Sequence, residues 1–141
     1  MTEKKIIGRV EKIDFPGWNI SGIDAKIDTG AYTASLHCHD IKIDADKSEV
    51  SFFVLDPTHP EFENQKVTCP VHDFRSIKSS NGSIEDRIII KTDICIHDMT
   101  YPVELSLTDR SEMRFPVLLG RRFIKNKFIV DVSRKYIGNY N

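Results

Sequence analysis

Apolar and polar residues alternate in short runs along almost the whole chain, the period of two that a strand with one buried face requires. Ile23, Ala25 and Ile27 alternate with Asp24, Lys26 and Asp28. Ile41, Ile43 and Ala45 alternate with Lys42, Asp44 and Asp46, and Val50, Phe52 and Val54 answer them after the polar Asp46-Lys47-Ser48, which predicts a hairpin. The same reading gives strands over Lys5–Phe15, closed by Phe15-Pro16-Gly17, over Ile20–Asp28 and over Thr33–His39. Further strands follow at Val67–Val71, Arg75–Lys78, Ile84–Ile96, Tyr101–Leu107, Phe115–Gly120 and Lys127–Val132. Asp56–Gln65, with Pro57 and Pro60, reads as a surface loop, and Asn81-Gly82 favours a tight type I′ turn between two strands. Only Arg121–Lys127 suggests a helix, of about two turns at most. The pattern predicts one all-β domain over residues 1–141 with one short C-terminal helix, and no repeat, linker or low-complexity stretch.

Composition narrows the classes of function. A chain of 141 residues with 40% hydrophobic and 29% charged residues can bury a core and is not disordered by composition. Its formal charge of −1 excludes a globally basic nucleic-acid binder, so recognition by charge has to be local. Ile6-Ile7-Gly8-Arg9 is too short an apolar run for a membrane span or a signal peptide, and the expected location is cytoplasmic. Cys38, Cys69 and Cys95 cannot all pair within the chain, so reduced and mostly buried thiols are expected.

Candidate chemistry concentrates at Asp28-Thr29-Gly30, where an amphipathic strand delivers a carboxylate just before a glycine permits a sharp change of direction. Three letters alone also describe an ordinary turn in which Asp or Thr bonds nearby backbone. A second block, Val117-Leu118-Leu119-Gly120-Arg121 followed by a short helix, makes the motif one half of a larger pattern. Together the two blocks resemble the paired signatures of retropepsin-like aspartic peptidases.

The likeness extends to a bacterial branch labelled ATP-dependent zinc proteases. Its pattern is similar to Ala25–Ala31, Leu36-His37, Ser79-Ser80-Asn81-Gly82 with Arg87, Leu107-Thr108-Asp109-Arg110 and Met113–Arg121, in that order. The resemblance implies a closed, barrel-like β domain with the Asn81-Gly82 hairpin as a lid. It implies hydrolysis by a water held between two carboxylates that share one proton, because two negative charges so close cannot both be favourable. Only one Asp-Thr-Gly is present, so Asp28 would have to meet its twin across the two-fold axis of a homodimer. Thr29 would then brace the pair, Gly30 would let the backbones approach, and Leu118, Leu119 and Gly120 would pack beneath the loop.

Specificity is expected from cations. Arg75, Arg87, Arg110, Arg114 and Arg121 are candidates to border the cleft, and guanidinium groups grip carboxylates bidentately, which suggests a glutamate-rich peptide or protein substrate. Ser80, Asn81 and Gly82 are the candidate lid residues, while structural ion pairs remain the alternative for each arginine, with Asp109 and Asp131 as partners. The retroviral pattern has an acid where this chain has Tyr32, so Arg121 is expected to find another carboxylate or a substrate. No cofactor is expected. The chain has no Gly-x-x-x-x-Gly-Lys-Ser/Thr loop for ATP and no His-Glu-x-x-His pair for zinc. The family's association with an ATP-grasp glutamate ligase would account for the ATP in its label. Zinc held by His37-Cys38-His39, Cys69 with His72, or Cys95 with His97 remains a weaker alternative, as does a non-catalytic module that binds an acidic partner.

Overall fold

Alternation translates into strands almost wherever it occurs, and their pairing closes a barrel. The computed structural model describes residues 3–55, 64–78, 81–109 and 115–138. In chain order the elements are β1 (Lys5–Gly8), β2 (Val10–Phe15), a single 3-10 turn (Pro16–Trp18), β3 (Ile20–Ile27), β4 (Ala34–Ile43), β5 (Glu49–Val54) and β6 (Lys66–Pro70). They continue with β7 (Asp73–Lys78), β8 (Ile84–Ile96), β9 (Met99–Thr108), β10 (Val117–Leu119), α1 (Arg121–Ile124) and β11 (Phe128–Asp131). Strands β10-β3-β2-β8-β9-β4 are neighbours in that order, and β10 also pairs antiparallel with β4, so six strands close on themselves. The all-β barrel with one short helix is thus observed. Closure leaves the barrel strands no open edge, while β5 and β6 extend the wall from β4 and β7 pairs with the projecting part of β8.

The core is the inner face of that barrel. Leu36, Ile90, Ile94, Leu105 and Leu119 are fully buried, and each such aliphatic side chain contributes about 1.5–3 kcal/mol on burial. Phe15 stacks on Trp18 at 4.6 Å and Trp18 meets Phe52 edge-on at 5.7 Å, which packs the end of β2 and the 3-10 turn against β5. At the other end Tyr101, Phe123 and Phe128 form a triangle of rings 5.3–5.9 Å apart that holds α1 and β11 against β9. That triangle fixes the helix immediately after β10.

Four local expectations need correction. The predicted strand Lys5–Phe15 is two strands, because β1 leaves the barrel and pairs parallel with β11 from Lys5↔Phe128 to Gly8↔Asp131. Arg9, between them, bonds Arg134 through its N–H and Ile27 through its carbonyl. The helix is one turn, Arg121–Ile124, since Lys125 already has ψ 131° and Asn126 is left-handed at φ 67°. The apolar face of Ile41 and Ile43 does not stay inside. Left-handed Asp40 lies where the β4–β5 register shifts between His39 and Lys42, and Ile43 is 39% exposed. The Asn81-Gly82 pair does not make a two-residue turn: the last pair is Lys78↔Ile84, leaving five residues between the strands. Gly82 has φ +89°, and Asn81 Oδ1 accepts bonds from the Ser83 N–H and Oγ. The predicted loop over Asp56–Gln65 falls largely outside the described residues, as do Ser79, Ser80, Arg110, Met113 and Arg114.

Candidate functional site

Asp28 stands at the end of β3, and β10 determines what happens there. Strand β10 runs parallel to β3, pairing Val117↔Ala25, Leu118↔Lys26 and Leu119↔Ile27, and antiparallel to β4 on its other side. The chain must therefore leave β3 over the end of β10 before it can return as β4. Residues 28–33 make that crossing. The Asp28 N–H donates to Leu119 O at 2.9 Å, the Ala31 N–H to Asp28 O at 3.2 Å, and the Gly30 N–H to the Asp28 carboxylate Oδ1 at 3.0 Å. One carboxylate oxygen is thereby oriented by the loop itself, and the side chain is only partly covered.

The start of α1 clasps the loop from below. Arg121 and Arg122 donate backbone N–H groups to Ala31 O at 2.8 Å and Tyr32 O at 3.0 Å. The contact is so close that a Cβ on Gly120 would lie 2.5 Å from Thr33 O and 2.8 Å from Ala31 O. The apolar block Leu118-Leu119-Gly120 thus packs beneath the Asp28 loop as the resemblance implies. Of the two partners expected for Arg121, a carboxylate or a substrate, no carboxylate is bonded to it among the described residues. Its Nη1 donates to Thr29 O at 3.0 Å, and its guanidinium lies 5.8 Å from the centre of the Tyr32 ring. The aromatic residue that replaces the acid supplies a face, and the loop backbone supplies the acceptor.

The other predicted residues separate into groups. Asn81 and Gly82 are exposed at the tip of the β7–β8 hairpin. Arg87 lies lower on that hairpin with its side chain 10% exposed, pairing with Glu85 at 3.1 Å and reaching Ser106 Oγ at 3.4 Å. Its buried Nε has no partner among the described residues. Ser106 in turn meets Ser35 Oγ at 3.0 Å and donates to Ala34 O at 3.3 Å, so Arg87 is tied to β4 just beyond the Asp28 loop. Asp131 makes no arginine ion pair among the described residues: its carboxylate accepts from the Ser133 hydroxyl and N–H, which with the nearby charge of Arg134 hold it below the usual carboxylate range. Arg110 lies outside the described residues.

A cationic cavity joins Arg75, one of the arginines expected at a cleft, to Lys91, Glu104, Arg122 and Lys127, which the sequence does not single out. It encloses about 220 Å³ between the end of the Asp28 loop, at Thr33 and Ala34, and the base of the β7–β8 hairpin, at Arg75. Strand register builds its wall, because Arg75↔Arg87, Ile89↔Ser106 and Lys91↔Glu104 are cross-strand pairs on one face. Glu104 is its acid, bonded by Arg75 Nη2 at 2.8 Å and Arg122 Nη2 at 3.1 Å, with His72 Nε2 at 3.9 Å. Burial alone would raise the Glu104 carboxyl, but Arg75 and Arg122 outweigh it and hold the group below its ordinary value. The signal was legible only as alternation in β8, where Arg87, Ile89 and Lys91 share a face.

The donors for the zinc alternative do not converge. Among the described residues no three His, Cys, Asp or Glu side chains are grouped to hold a metal ion. Burial pushes the Cys38 thiol up to about 12, so it is not a ready thiolate ligand, and His39 stacks on Phe53 while its Nδ1 meets Leu55 O at 2.7 Å. These residues do not fit a zinc centre, and no step is assigned to one. No helix among the described residues is long and apolar enough to cross a membrane.

Comparison with known proteins agrees with the loop and strand arrangement. The chain is 38% identical over 143 residues to a probable alpha-L-glutamate ligase of Shewanella halifaxensis, covering 98% of this chain and 31% of that protein. It is 37% identical to a protein of the same name in Desulfotalea psychrophila, covering 91% of this chain and 28% of that one. The chain therefore spans less than a third of the length of these relatives. Among solved structures it resembles Lpg0085 of Legionella pneumophila, a protein of unknown function, with a TM-score of 0.76 and 26% identity over 97% of this chain and 100% of that one. The model of the retropepsin-like aspartic endopeptidase RimB matches residues 6–140. With the Asp28 loop seated on β10 and the match covering nearly every residue, the chain belongs to the RimB-like family of retropepsin-like aspartic endopeptidases.

Proposed function

We propose that the protein is an aspartic endopeptidase that acts as a homodimer, with Asp28 of each subunit facing the other across a water. One carboxylate accepts a proton from that water as it attacks the peptide carbonyl. The other, protonated, donates to the carbonyl oxygen, and the proton is passed on to the departing amine as the tetrahedral intermediate collapses. The observation that carries this reading is the way the Asp28 loop is held. Oδ1 accepts the Gly30 N–H, and Leu119, Ala31 and Arg121 bond the flanking backbone, which leaves Oδ2 for chemistry. A single carboxylate cannot be base and acid in the same step, and that is the chemical argument for the twin. Because β1 and β11 pair within one chain, the twin would approach without exchanging those strands. Exposed Tyr32 beside the loop, and Ile6 and Ile129 side by side on the two-stranded sheet, offer apolar surface for that contact.

The β7–β8 hairpin, with Asn81 and Gly82 in its tip, would close over an extended substrate and exclude water. Acidic, glutamate-containing peptides are the proposed substrate class, supported by the positive cavity beside the loop. A second reading rests on one observation: this domain recurs within longer proteins named probable alpha-L-glutamate ligases. It would make the chain a binding module that holds a ligase or its acidic product without cutting it. Cleavage of a glutamate-containing peptide by the intact chain and by Asp28→Asn decides between them. The peptidase reading expects kcat to fall by about 10²–10⁴-fold in the variant with the fold retained. Equal rates would overturn it, and binding without cleavage in both proteins would favour the module.

A further inference from the structure

The cavity beside the Asp28 loop is more specific than a diffuse positive surface. Four cations, Arg75, Lys91, Arg122 and Lys127, face one carboxylate, Glu104. They are not equivalent. Glu104 is shared by Arg75 and Arg122, and Arg75 is further bonded to Asp73 at 2.8 Å, so these two guanidinium groups are fixed and largely neutralised by protein acids. Lys127 donates to Phe123 O at 3.0 Å and lies 5.1 Å from the centre of the Phe123 ring, which fixes its stem but leaves its charge without a counterion among the described residues. Lys91 has no ion pair or side-chain hydrogen bond among the described residues; its cross-strand neighbour Glu104 is turned to the arginines. The uncompensated charge in the cavity is therefore carried by two lysines, and the arginine–glutamate lattice frames them.

We infer that this cavity is a specificity subsite that takes one side-chain carboxylate of an extended substrate, with Lys91 and Lys127 as its counter-charges and Glu104 as the residue that keeps Arg75 and Arg122 in position. The inference rests on the peptidase reading only in calling the ligand a substrate. Placement supports it. The cavity is bounded on one side by Thr33 and Ala34, where the Asp28 loop becomes β4, and on the other by Arg75 at the base of the lid hairpin. A peptide lying between loop and lid would have to pass it. At about 220 Å³ it exceeds several times the roughly 30 Å³ that one water occupies in the liquid, which suits a single side chain and not a folded partner. The mobile ammonium groups of lysine tolerate glutamate or aspartate, whereas Arg75 and Arg122 each already give an Nη2 to Glu104.

Binding separates this inference from catalysis when it is measured in an Asp28→Asn background, which removes turnover. The probes are two peptides identical except for glutamate or glutamine at one position, scanned along the sequence, with free glutamate as competitor. The expected result is one position at which glutamate binds more tightly. Lys91→Glu should abolish that preference, about a tenfold change or more for a charge reversal at a partly open site. Lys66→Glu, the same charge change on β6 away from the cavity, should leave it in place. A preference unchanged by Lys91→Glu, an equal loss with Lys66→Glu, or displacement of the peptide by free glutamate at equal concentration would overturn the subsite. Cleavage assays on the unsubstituted chain report the other question. Lys91-dependent binding without any cleavage would end the peptidase reading and leave the subsite standing, while cleavage with a Lys91-independent preference would do the reverse.

Discussion

Arg121 holds the Thr29 carbonyl with a 3.0 Å bond from its guanidinium while its own backbone N–H holds Ala31 O at 2.8 Å, so one residue fixes the Asp28 loop at two points. The side chain is exposed, and a bond of this kind contributes only about 1 kcal/mol to stability. Its greater effect is on geometry, because Thr29 is next to the carboxylate that the proposed dimer would pair with its twin. Arg121→Lys keeps the charge and removes the planar fork that reaches Thr29 and lies over Tyr32. We expect the urea midpoint to change little and kcat/KM for peptide cleavage to fall by about tenfold or more, as misplacement near the reacting groups does. A variant with the parental rate would show that the loop is set by its backbone bonds alone.

The Gly120 contact tests the same loop through stability. The position has φ −88° and ψ −176°, an extended backbone that any residue adopts, so the requirement for glycine is purely one of space. A methyl group there would meet carbonyl oxygens of Thr33 and Ala31, and backbone cannot step aside as a flexible side chain can. Gly120→Ala is expected to cost about 3 kcal/mol, at the upper end for overpacking. Gly17→Ala meets nothing within 4 Å and should stay within about 0.5 kcal/mol of the parent. Equal effects of the two substitutions in chemical denaturation would refute the steric argument.

Much of the architecture was legible because strands with one buried face write themselves as alternation, and nearly all of this barrel is such strands. The Asp28 loop was legible as a change of direction because an amphipathic strand that ends in a polar residue and a glycine marks one. What pairs with what was not. Lys5–Gly8 has the composition of a continuation of β2, and only the parallel partner Phe128–Asp131, more than a hundred residues away, diverts it into a separate sheet. The five-residue tip around Asn81 shows the same limit, since the pairing Lys78↔Ile84 sets the loop length and overrides the local Asn-Gly preference. The cationic cavity needed five segments to converge, from Thr33 on the loop to Lys127 after the helix, and no linear motif encodes that. For Arg121 the sequence left a carboxylate or a substrate as partner, and proximity adds a carbonyl and an aromatic face that no local pattern encodes.

The Glu104 lattice gives the protein a pH signature whose sign follows from its environment. Partial burial pushes the carboxyl up, but the hydrogen bond from Arg75 and the charges of Arg122 and His72 bring it below its unfolded value. A carboxyl depressed on folding contributes stability above its unfolded pKa and loses that contribution as pH falls through the folded one. Thermal unfolding followed from neutral pH down through the acid range should therefore show a decline that Glu104→Gln flattens. The variant should also be the less stable protein at neutral pH, because Arg75 and Arg122 then face each other without their shared acid. Parallel pH curves for the two proteins would show that the lattice does not stabilise the fold.

A second carboxylate, Glu11, governs the far end of the chain, and its role is purely structural by position. It is fully buried on β2, with Oε2 accepting the Gly8 N–H at 2.7 Å and the Ile137 N–H at 3.3 Å, and Oε1 accepting the Gly138 N–H at 3.3 Å. His97 Nε2 lies 3.1 Å from Oε1, bringing the β8–β9 turn into the same cluster. The neighbouring bonds run in the same direction: Tyr136 N–H to Val10 O at 2.8 Å, and the Tyr136 hydroxyl to Asp24 at 3.0 Å. One side chain thus gathers β1, the segment after β11 and a distant turn, and each backbone N–H it serves would be left buried or reopened to water without it. Glu11→Gln keeps the volume but turns an amide NH₂ toward donors. We expect a loss of about 2–4 kcal/mol, since each unsatisfied group costs about 1–3 kcal/mol and part of the tail can relax into solvent. Hydrogen exchange locates the effect. Amides of residues 134–138 should lose protection first while the barrel amides of β3 and β9 keep theirs, because the barrel closes without the β1–β11 pair. Uniform loss of protection would mean that the terminal segments and the barrel unfold as one unit, and that Glu11 supports the Asp28 loop through the Arg9–Ile27 bond.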